Sequence, residues 1–454
     1  MVRIVQRCLN IGCGGRVRRH RPWWVGPAAL ALAAILLASS SGGTGWDRAT
    51  LSGAVAEAAA LQVQSVISEP EDDPAESGPT PVLGGSLTRP FLPVDPGVAS
   101  SKPLPRVSAD AAILVEARTG TILYEKNSHV RRPGASTTKI MTALLVLERG
   151  DLSEEVTITR EMVQTFGSMM NLRVGSKHLL AEILYGILMK SANDGALAAA
   201  IYLAGSQAAF ADWMNQRAEA LGLKDTHYVN PHGHTATNHY TSAYDLARLA
   251  AHALANWQFA EIVGSAQVTH DLPDDDTGPV VFYNTNRLLS YYPGASGVKT
   301  GTTSAAGKCL VSSAKRGDTE LIAVVLHSDD RYRDAVALLD YGFATYGVSS
   351  YGGLGDPAAV FRVTYGDPVE AVLGTQAAVL TRKEDVGRVR WRAVAAPGLE
   401  APLAKGELVG WVEASIGEDG GDTTLLKAFP LVSPAPRPLR PFVLRIFEAL
   451  FGHR

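Results

Sequence analysis

The stretch that most constrains this chain is Ser136-Thr137-Thr138-Lys139, followed by the apolar run Ile140-Met141-Thr142-Ala143-Leu144-Leu145-Val146-Leu147. A run of this length built on Ala, Leu and Met predicts a helix rather than a strand, and Gly150 predicts its stop. Ser136 is then expected at or near the helix N-terminus, with Lys139 one turn further on and on the same face. A serine hydroxyl is a poor nucleophile until a base takes its proton, and a lysine whose pKa is lowered by burial can be that base. Backbone N–H groups at a helix start favour the negative charge of an acyl-transfer intermediate. The tetrapeptide alone is common, and an N-cap serine before a solvated lysine reads the same way.

The chain has 454 residues, 46% of them hydrophobic and 19% charged, which suits two or three globular domains. A formal net charge of −3 gives no sign of a nucleic-acid partner. Arg3, Arg7, Arg16, Arg18, Arg19 and Arg21 precede the first acidic residue, Asp47; Trp23 to Ala38 is apolar and Ser39-Ser40-Ser41-Gly42-Gly43 is small. Residues 1–41 therefore read as a signal peptide or, uncleaved, a signal anchor. Either places the rest outside the cytoplasm, in a periplasm or on the outer face of the membrane. Residues 42–106 hold the acidic run Glu69-Pro70-Glu71-Asp72-Asp73-Pro74 and many Pro, Gly and Ser. They read as a disordered tether. Cys8 and Cys13 lie in the leader, and Cys309 is alone in the body of the chain. It reads as a small buried hydrophobe. No Cys/His cluster has metal-ligand spacing, so neither metal nor cofactor is expected.

The folded part is expected to begin near Val107. Ala111–Val115 and Thr121–Tyr124 read as a hairpin. Leu179–Met189 is helical in period and runs into Lys190-Ser191-Ala192-Asn193-Asp194-Gly195, after which Ala196–Ala204 resumes as helix. Such a polar break can point Ser191 and Asn193 into a cleft, although an ordinary cap has the same composition. Asn230-Pro231-His232-Gly233 reads as a turn, and Ser242–Ala255 as a helix capped by Thr241 or Ser242. Val298–Thr303 reads as a strand whose small residues let a ligand approach. Lys299 and Thr300 offer a cation and a hydroxyl, but neighbours on a strand face opposite sides. Either both reach a ligand at a strand edge, or one is structural. Leu310–Ser312 and Leu321–Leu326 read as a hairpin, and Ala335–Tyr346 as a closing helix. Beyond Gly347, with a boundary expected at Tyr351–Pro357, short alternating runs predict a small all-β domain ending near Val432. In the tail, Phe442, Val443, Ile446, Phe447, Leu450 and Phe451 follow one helical stripe.

Each motif is weak alone. Ser136-x-x-Lys139, Ser191-x-Asn193 and Lys299-Thr300-Gly301 nevertheless occur in that order, the triple of penicillin-binding proteins and serine β-lactamases. With Asn230-Pro231-His232-Gly233, Tyr244-Asp245-Leu246, Asn284-Thr285-Asn286 and Leu339-Asp340-Tyr341-Gly342-Phe343, the chain resembles the low-molecular-mass penicillin-binding proteins, the serine-type D-alanyl-D-alanine carboxypeptidases. The resemblance covers Val107 to the C-terminus. It implies an α/β (α+β) fold: a transpeptidase/β-lactamase-like domain at 107–347, with an antiparallel sheet and a helical subdomain. A β-rich domain at 348–432 follows, then a linker and an amphipathic membrane-associating helix at 433–454. It implies a peptidoglycan stem peptide ending in D-Ala-D-Ala as substrate, and β-lactams as covalent inhibitors. Ser136 would be the nucleophile, Lys139 its base and Ser191 the proton relay. Asn193 would hold the substrate amide and Lys139. Lys299, Thr300, Gly301 and Thr302 would bind substrate, the first two at its terminal carboxylate, with the N–H groups of Ser136 and Thr302 as oxyanion hole. Gly195, His234 and Thr302 stand where the family usually has alanine, leucine, and an aromatic or histidine. A class A β-lactamase needs a Glu-x-x-Leu-Asn loop between the second and third motifs, and neither Glu219 nor Glu261 has that context. A D,D-endopeptidase is a further alternative. A non-catalytic envelope protein that only binds penicillin or peptidoglycan has no need of the intact Ser136, Lys139, Ser191 and Lys299.

Overall fold

The structure, a computed structural model, describes residues 90–100, 102–270, 280–417 and 424–440. The basic leader, residues 42–89 of the expected tether and the terminal apolar stripe lie outside the described residues. The fold takes hold before Val107. Phe91 is buried, its N–H donates to Tyr244 Oη at 3.0 Å, and the two rings meet edge to face at 5.8 Å. Strand β1 (Leu92–Pro93) then pairs in parallel with β3 (Thr121–Lys126). Proline content hides this from the sequence, but an edge strand tolerates proline because one side of it is unpaired.

β2 (Ala111–Glu116) and β3 form the expected hairpin. A 3-10 turn at Ala135–Thr138 leads into α1 (Lys139–Arg149). Two short strands, β4 (Glu155–Thr157) and β5 (Lys177–Leu179), pair before α2 (Leu180–Tyr185) and a π turn at Gly186–Lys190. Helices α3 (Asn193–Ala204), α4 (Gln207–Ala220), α5 (Ala243–Leu254) and α6 (Trp257–Gly264) follow. Ser242 caps α5, accepting from Asp245 N–H at 3.1 Å. The hairpin β6 (Gln267–His270) and β7 (Val280–Tyr283) precedes α7 (Leu288–Tyr291). Then come β8 (Ala295–Thr303), β9 (Gly307–Arg316), β10 (Thr319–Ser328) and α8 (Arg331–Thr345).

The central sheet runs β1-β3-β2-β10-β9-β8, antiparallel except at β1. Side chains alternate across it. Ile113 and Val115 of β2, Val311 of β9 and Ile322 and Val324 of β10 enter one core with Ile140, Met141 and Leu144 of α1. Leu114, Leu310, Leu321, Ala323 and Val325 enter the other, closed by Ala335, Leu338, Leu339 and Phe343 of α8. A sheet covered on both faces is apolar at successive positions, which is why Ala111–Val115 reads as one continuous run.

β11 (Tyr346–Gly352) follows α8 with no intervening residue, so the architecture changes ahead of the Tyr351–Pro357 stretch. β12 (Pro357–Phe361), β13 (Val369–Leu373), β14 (Ala377–Arg382), β15 (Val389–Ala395), β16 (Leu408–Ile416) and β17 (Thr424–Val432) complete the strands. β11 pairs with β14, and the other five form a sheet ordered β12-β13-β17-β16-β15. Val369, Leu373, Val379, Val412, Phe429 and Leu431 make a separate core there.

Candidate active site

Ser136 is not an N-cap. It lies in the 3-10 turn ahead of α1, entered through Ala135 at φ +48° and closed by Thr137 Oγ1 donating to Gly134 O at 2.8 Å. A 3-10 turn has three residues per turn, so i and i+3 eclipse one another. That places Lys139 Nζ 3.0 Å from Ser136 Oγ.

Lys139 is fully buried. Burial holds its pKa well below an ordinary lysine; the charge of Lys299 acts the same way, and that of Asp194 opposes it. Its other two partners are acceptors only: Asn193 Oδ1 at 2.6 Å and His232 O at 2.7 Å. A neutral amine has two N–H bonds and one lone pair. With both N–H bonds committed to these oxygens, the lone pair is left for the Ser136 hydroxyl proton. The same three oxygens would also satisfy the three protons of an ammonium; it is burial, which disfavours the charged form, that makes the neutral base the form expected here.

The carbonyl of His232 is held in place by its turn. Asn230 Oδ1 accepts from Gly233 N–H at 2.7 Å and from His234 N–H at 3.1 Å. Gly233 has φ +88°, and a Cβ there would stand 2.0 Å from Ala135 O. Only glycine lets this turn lie against the nucleophile turn.

The polar break seen in the sequence faces the same centre. Ser191 ends the π turn in the left-handed region, φ +62° and ψ 34°, a conformation that non-glycine residues adopt mainly under functional constraint. Asn193 opens α3. Its Oδ1 faces Lys139, while Nδ2 donates to Phe166 O and lies 3.0 Å from His234 Nε2. Phe166 O and His234 Nε2 thus surround Nδ2, the group from which the expected contact with a substrate amide would be made. Asp194 accepts from the N–H groups of Met170, Asn171 and Leu172 at 2.9, 2.8 and 3.0 Å. Asn193 N–H donates to Ser168 O at 2.7 Å. These bonds pin the loop at 166–172 beside the site.

β8 forms the opposite wall. A Cβ on Gly301 would stand 2.8 Å from Gly134 O and 3.1 Å from Ser136 N, so glycine allows the strand to lie against the nucleophile turn. Thr300 lines the cleft, its Oγ1 2.8 Å from Thr285 Oγ1. Lys299 is 1% exposed and does not line the cleft. Its Nζ donates to Thr300 O at 3.2 Å. Burial, then the charge of Arg331, lowers its pKa to about 7. The strand alternation noted in the sequence is therefore real.

Ser136, Ser191, Thr300, Gly301 and Thr302 meet in one open cleft of about 240 Å³, together with Ser168, Thr285, Arg331 and Tyr332. A larger groove of about 560 Å³, bordered by Arg118, Leu254 and Gly353, contains none of the motif residues. Sequence reading missed Arg331. Its guanidinium donates to Gly301 O at 2.8 Å, Cys309 O at 3.0 Å and Thr302 Oγ1 at 2.6 Å, bracing β8. Asp330 capping α8 was the available local signal, but nothing in the sequence links it to β8. Tyr332 was also missed; it donates to Thr285 O at 3.0 Å. Among the described residues no cluster of metal-ligating side chains occurs.

A serine with a buried amine as its only basic neighbour among the described residues, a second serine, and the cations Lys299 and Arg331 beside the strand that walls the cleft define a serine–lysine acyl-transfer enzyme. Comparison with known proteins gives the family. The family model described as D-alanyl-D-alanine carboxypeptidase matches residues 98–330. The D-alanyl-D-alanine carboxypeptidase DacF of Bacillus subtilis is 35% identical over 313 residues, covering 66% of this chain and 80% of that one. A D-alanyl-D-alanine carboxypeptidase of Streptomyces sp. is 36% identical over 280 residues, covering 58% of this chain and 95% of the other. The crystal structure of penicillin binding protein 5 from Haemophilus influenzae superposes with a TM-score of 0.61 at 28% identity, over 75% of this chain and all of that one. The chain belongs to the D-alanyl-D-alanine carboxypeptidase family, the serine hydrolases that act on cell-wall peptides.

Proposed function

We propose that this chain removes the terminal D-Ala from peptidoglycan stem peptides ending in D-Ala-D-Ala, through an acyl-enzyme on Ser136. The contact of buried Lys139 with Ser136 carries this reading: burial favours the neutral amine, and with its two N–H bonds given to Asn193 Oδ1 and His232 O its lone pair faces the Ser136 hydroxyl. Lys139 takes the Ser136 proton as Oγ attacks the penultimate carbonyl. Ser191 passes a proton to the departing D-Ala amine. The N–H groups of Ser136 and Thr302 stabilise the oxyanion. Water then breaks the ester and frees Ser136. Thr300 holds the terminal carboxylate, with the charge of Lys299 behind it. Asn193 holds Lys139 through Oδ1 and also holds the substrate amide. A β-lactam presents the same carbonyl and carboxylate, and it acylates Ser136 without a leaving group that departs.

Two measurements on one sample test this. A D-Ala-D-Ala-ended peptide should release one free D-Ala per molecule, and benzylpenicillin should add its whole mass to the peptide containing Ser136. Absence of D-Ala release, or an adduct mapped to another residue, overturns the reading.

The charge on Lys299 gives a pH dependence. With its pKa at about 7, the free enzyme loses this cation as pH rises past neutrality. kcat/KM for a peptide with a free terminal carboxylate should therefore fall above about pH 7, while an amidated peptide, slow throughout, should show no such limb. Parallel profiles for the two peptides would remove Lys299 from carboxylate binding.

We also propose residues 107–347, with β1 added at the sheet edge, as the catalytic domain and 348–432 as its β-rich appendage, with the enzyme exported by the leader. The stripe Phe442 to Phe451, outside the described residues, is short for a spanning helix and suits an interfacial one. Lacking the leader, the protein should bind anionic vesicles and be released by removal of 441–454 with peptide hydrolysis intact. Undiminished vesicle binding after that removal refutes the anchor.

A further inference from the structure

Asn193 is 5% exposed, and its amide is held on every side. Oδ1 takes Lys139 Nζ at 2.6 Å; Nδ2 gives one proton to Phe166 O and faces His234 Nε2 at 3.0 Å with the other. Were the amide turned over, its NH2 would meet the N–H bonds of Lys139, donor against donor, and its oxygen would face a carbonyl. Which way Asn193 points therefore decides whether Lys139 keeps a lone pair for Ser136.

His234 is itself fixed. Its N–H donates to Asn230 Oδ1 at 3.1 Å, and its carbonyl accepts from Asn230 Nδ2 at 2.9 Å. Its ring stacks on Phe166 at 4.1 Å between centroids, with 23° between planes, and lies 4.1 Å from the His232 ring on the same turn. Phe166 is 71% exposed, so its ring is held by this stack rather than by a core. Gly167 at φ +88° lets the loop come close, since a Cβ there would stand 3.0 Å from Asn193 Nδ2. Burial, then the charge of Lys139, hold His234 below an ordinary histidine, against the pull of the Phe166 carbonyl. In the neutral tautomer protonated at Nδ1, Nε2 faces Asn193 Nδ2 as an acceptor.

We propose that His234 is a positioning residue for acyl transfer: it accepts from Asn193 Nδ2, locks the amide with Oδ1 toward Lys139, and so keeps the lysine lone pair on Ser136. Phe166 clamps the ring from the solvent side. The proposal rests on the assignment of Ser136 and Lys139 given above. It makes Asn193 a relay of position between the loop at 166–172 and the base.

The test is a double-mutant cycle on the rate constant for penicillin acylation, with His234→Leu, His234→Gln, Asn193→Ala and the double variant Asn193→Ala/His234→Leu. His234→Leu should slow acylation about tenfold, the effect of leaving one buried amide proton without its acceptor. His234→Gln restores an acceptor oxygen and should recover to within about threefold of the parent. In the Asn193→Ala background, His234→Leu should change the rate by less than about twofold, because the residue it acts through is gone. Equal losses in both backgrounds, no loss at all, or failure of glutamine to rescue each overturn the proposal. Thermal melting of each variant separates misfolding from mispositioning, and the glutamine variant keeps the comparison decisive if leucine unfolds the turn. A parent enzyme that takes no label on Ser136 overturns the site assignment itself. A labelled parent with flat ratios overturns His234 alone.

Discussion

Lys139→Met should lower acylation by a factor of about 10² to 10⁴, the span seen when a general base is removed, and should change how stability depends on pH. Methionine fills a similar volume without an amine, so packing around Ile140 and Leu144 is retained. The activity loss follows from the wiring: no other basic side chain among the described residues touches Ser136 Oγ. The stability effect follows from linkage. In the unfolded chain Lys139 carries its proton up to an ordinary lysine pKa; in the native site burial holds the pKa well below that. Between the two values the unfolded state binds more protons, so wild-type stability rises with pH across that window, by about 1.4 kcal/mol per pH unit where the native amine is fully neutral. Methionine has no such term. The wild-type melting temperature minus that of the variant should therefore grow more positive from pH 7 to pH 10. A difference that stays constant means that Lys139 is protonated in the folded enzyme, and that its role as base is wrong.

Gly233→Ala should be nearly as damaging without touching a reacting group. The added Cβ would stand 2.0 Å from Ala135 O and 2.5 Å from Ala135 C, backbone atoms that cannot swing aside as a side chain would. Left-handed strain contributes about 1–3 kcal/mol, and forced displacement in a packed region about 1–3 kcal/mol more. The turn must retreat, taking with it the His232 carbonyl that holds Lys139 and pressing on the residue before Ser136. We expect the denaturation midpoint to drop and the acylation rate to fall about 100-fold or more, as for misplacement of catalytic groups by an ångström. Gly175→Ala is the control. It shares φ +88°, but a Cβ there has no neighbour within 4 Å, so it should show the backbone strain and keep acylation near the parent value. Equal acylation by both variants would show that the two turns are not in forced contact.

What the sequence revealed was chemistry written into short windows of side chains. Ser136 and Lys139 are neighbours by i, i+3 spacing, and Ser191 and Asn193 announce themselves by interrupting an apolar helix. The rest of the site is made of groups with no sequence signature. The His232 carbonyl is a backbone atom, and Arg331 meets Gly301 only because α8 starts beside β8. The two-faced burial of β2 and β10 was legible as continuous apolar runs. β4, β5, β6 and β7 were not, since three or four residues are too few to show a period of two. At Phe91, one ring outweighs a proline-rich neighbourhood in which composition argues for a tether. His234 attracted notice as a departure from the family pattern, but its bond to Asn193 could not be read from either residue.

The passage from α8 to β11 leaves no slack. Thr345 ends the helix, Tyr346 begins the strand, and Tyr346 is 1% exposed within the core that α8 closes. A hinge needs residues free to absorb a change in dihedral angles, and none is spare at this joint. The appended β-sheet is accordingly joined to the catalytic part without a hinge at this point. If its far end is held, the mouth of the cleft is held at a set height and heading, and the enzyme reaches only those peptide ends that come to that level. Lengthening this joint by a few glycines would turn an aimed enzyme into a swinging one, with its chemistry unaltered and its choice of wall strands enlarged.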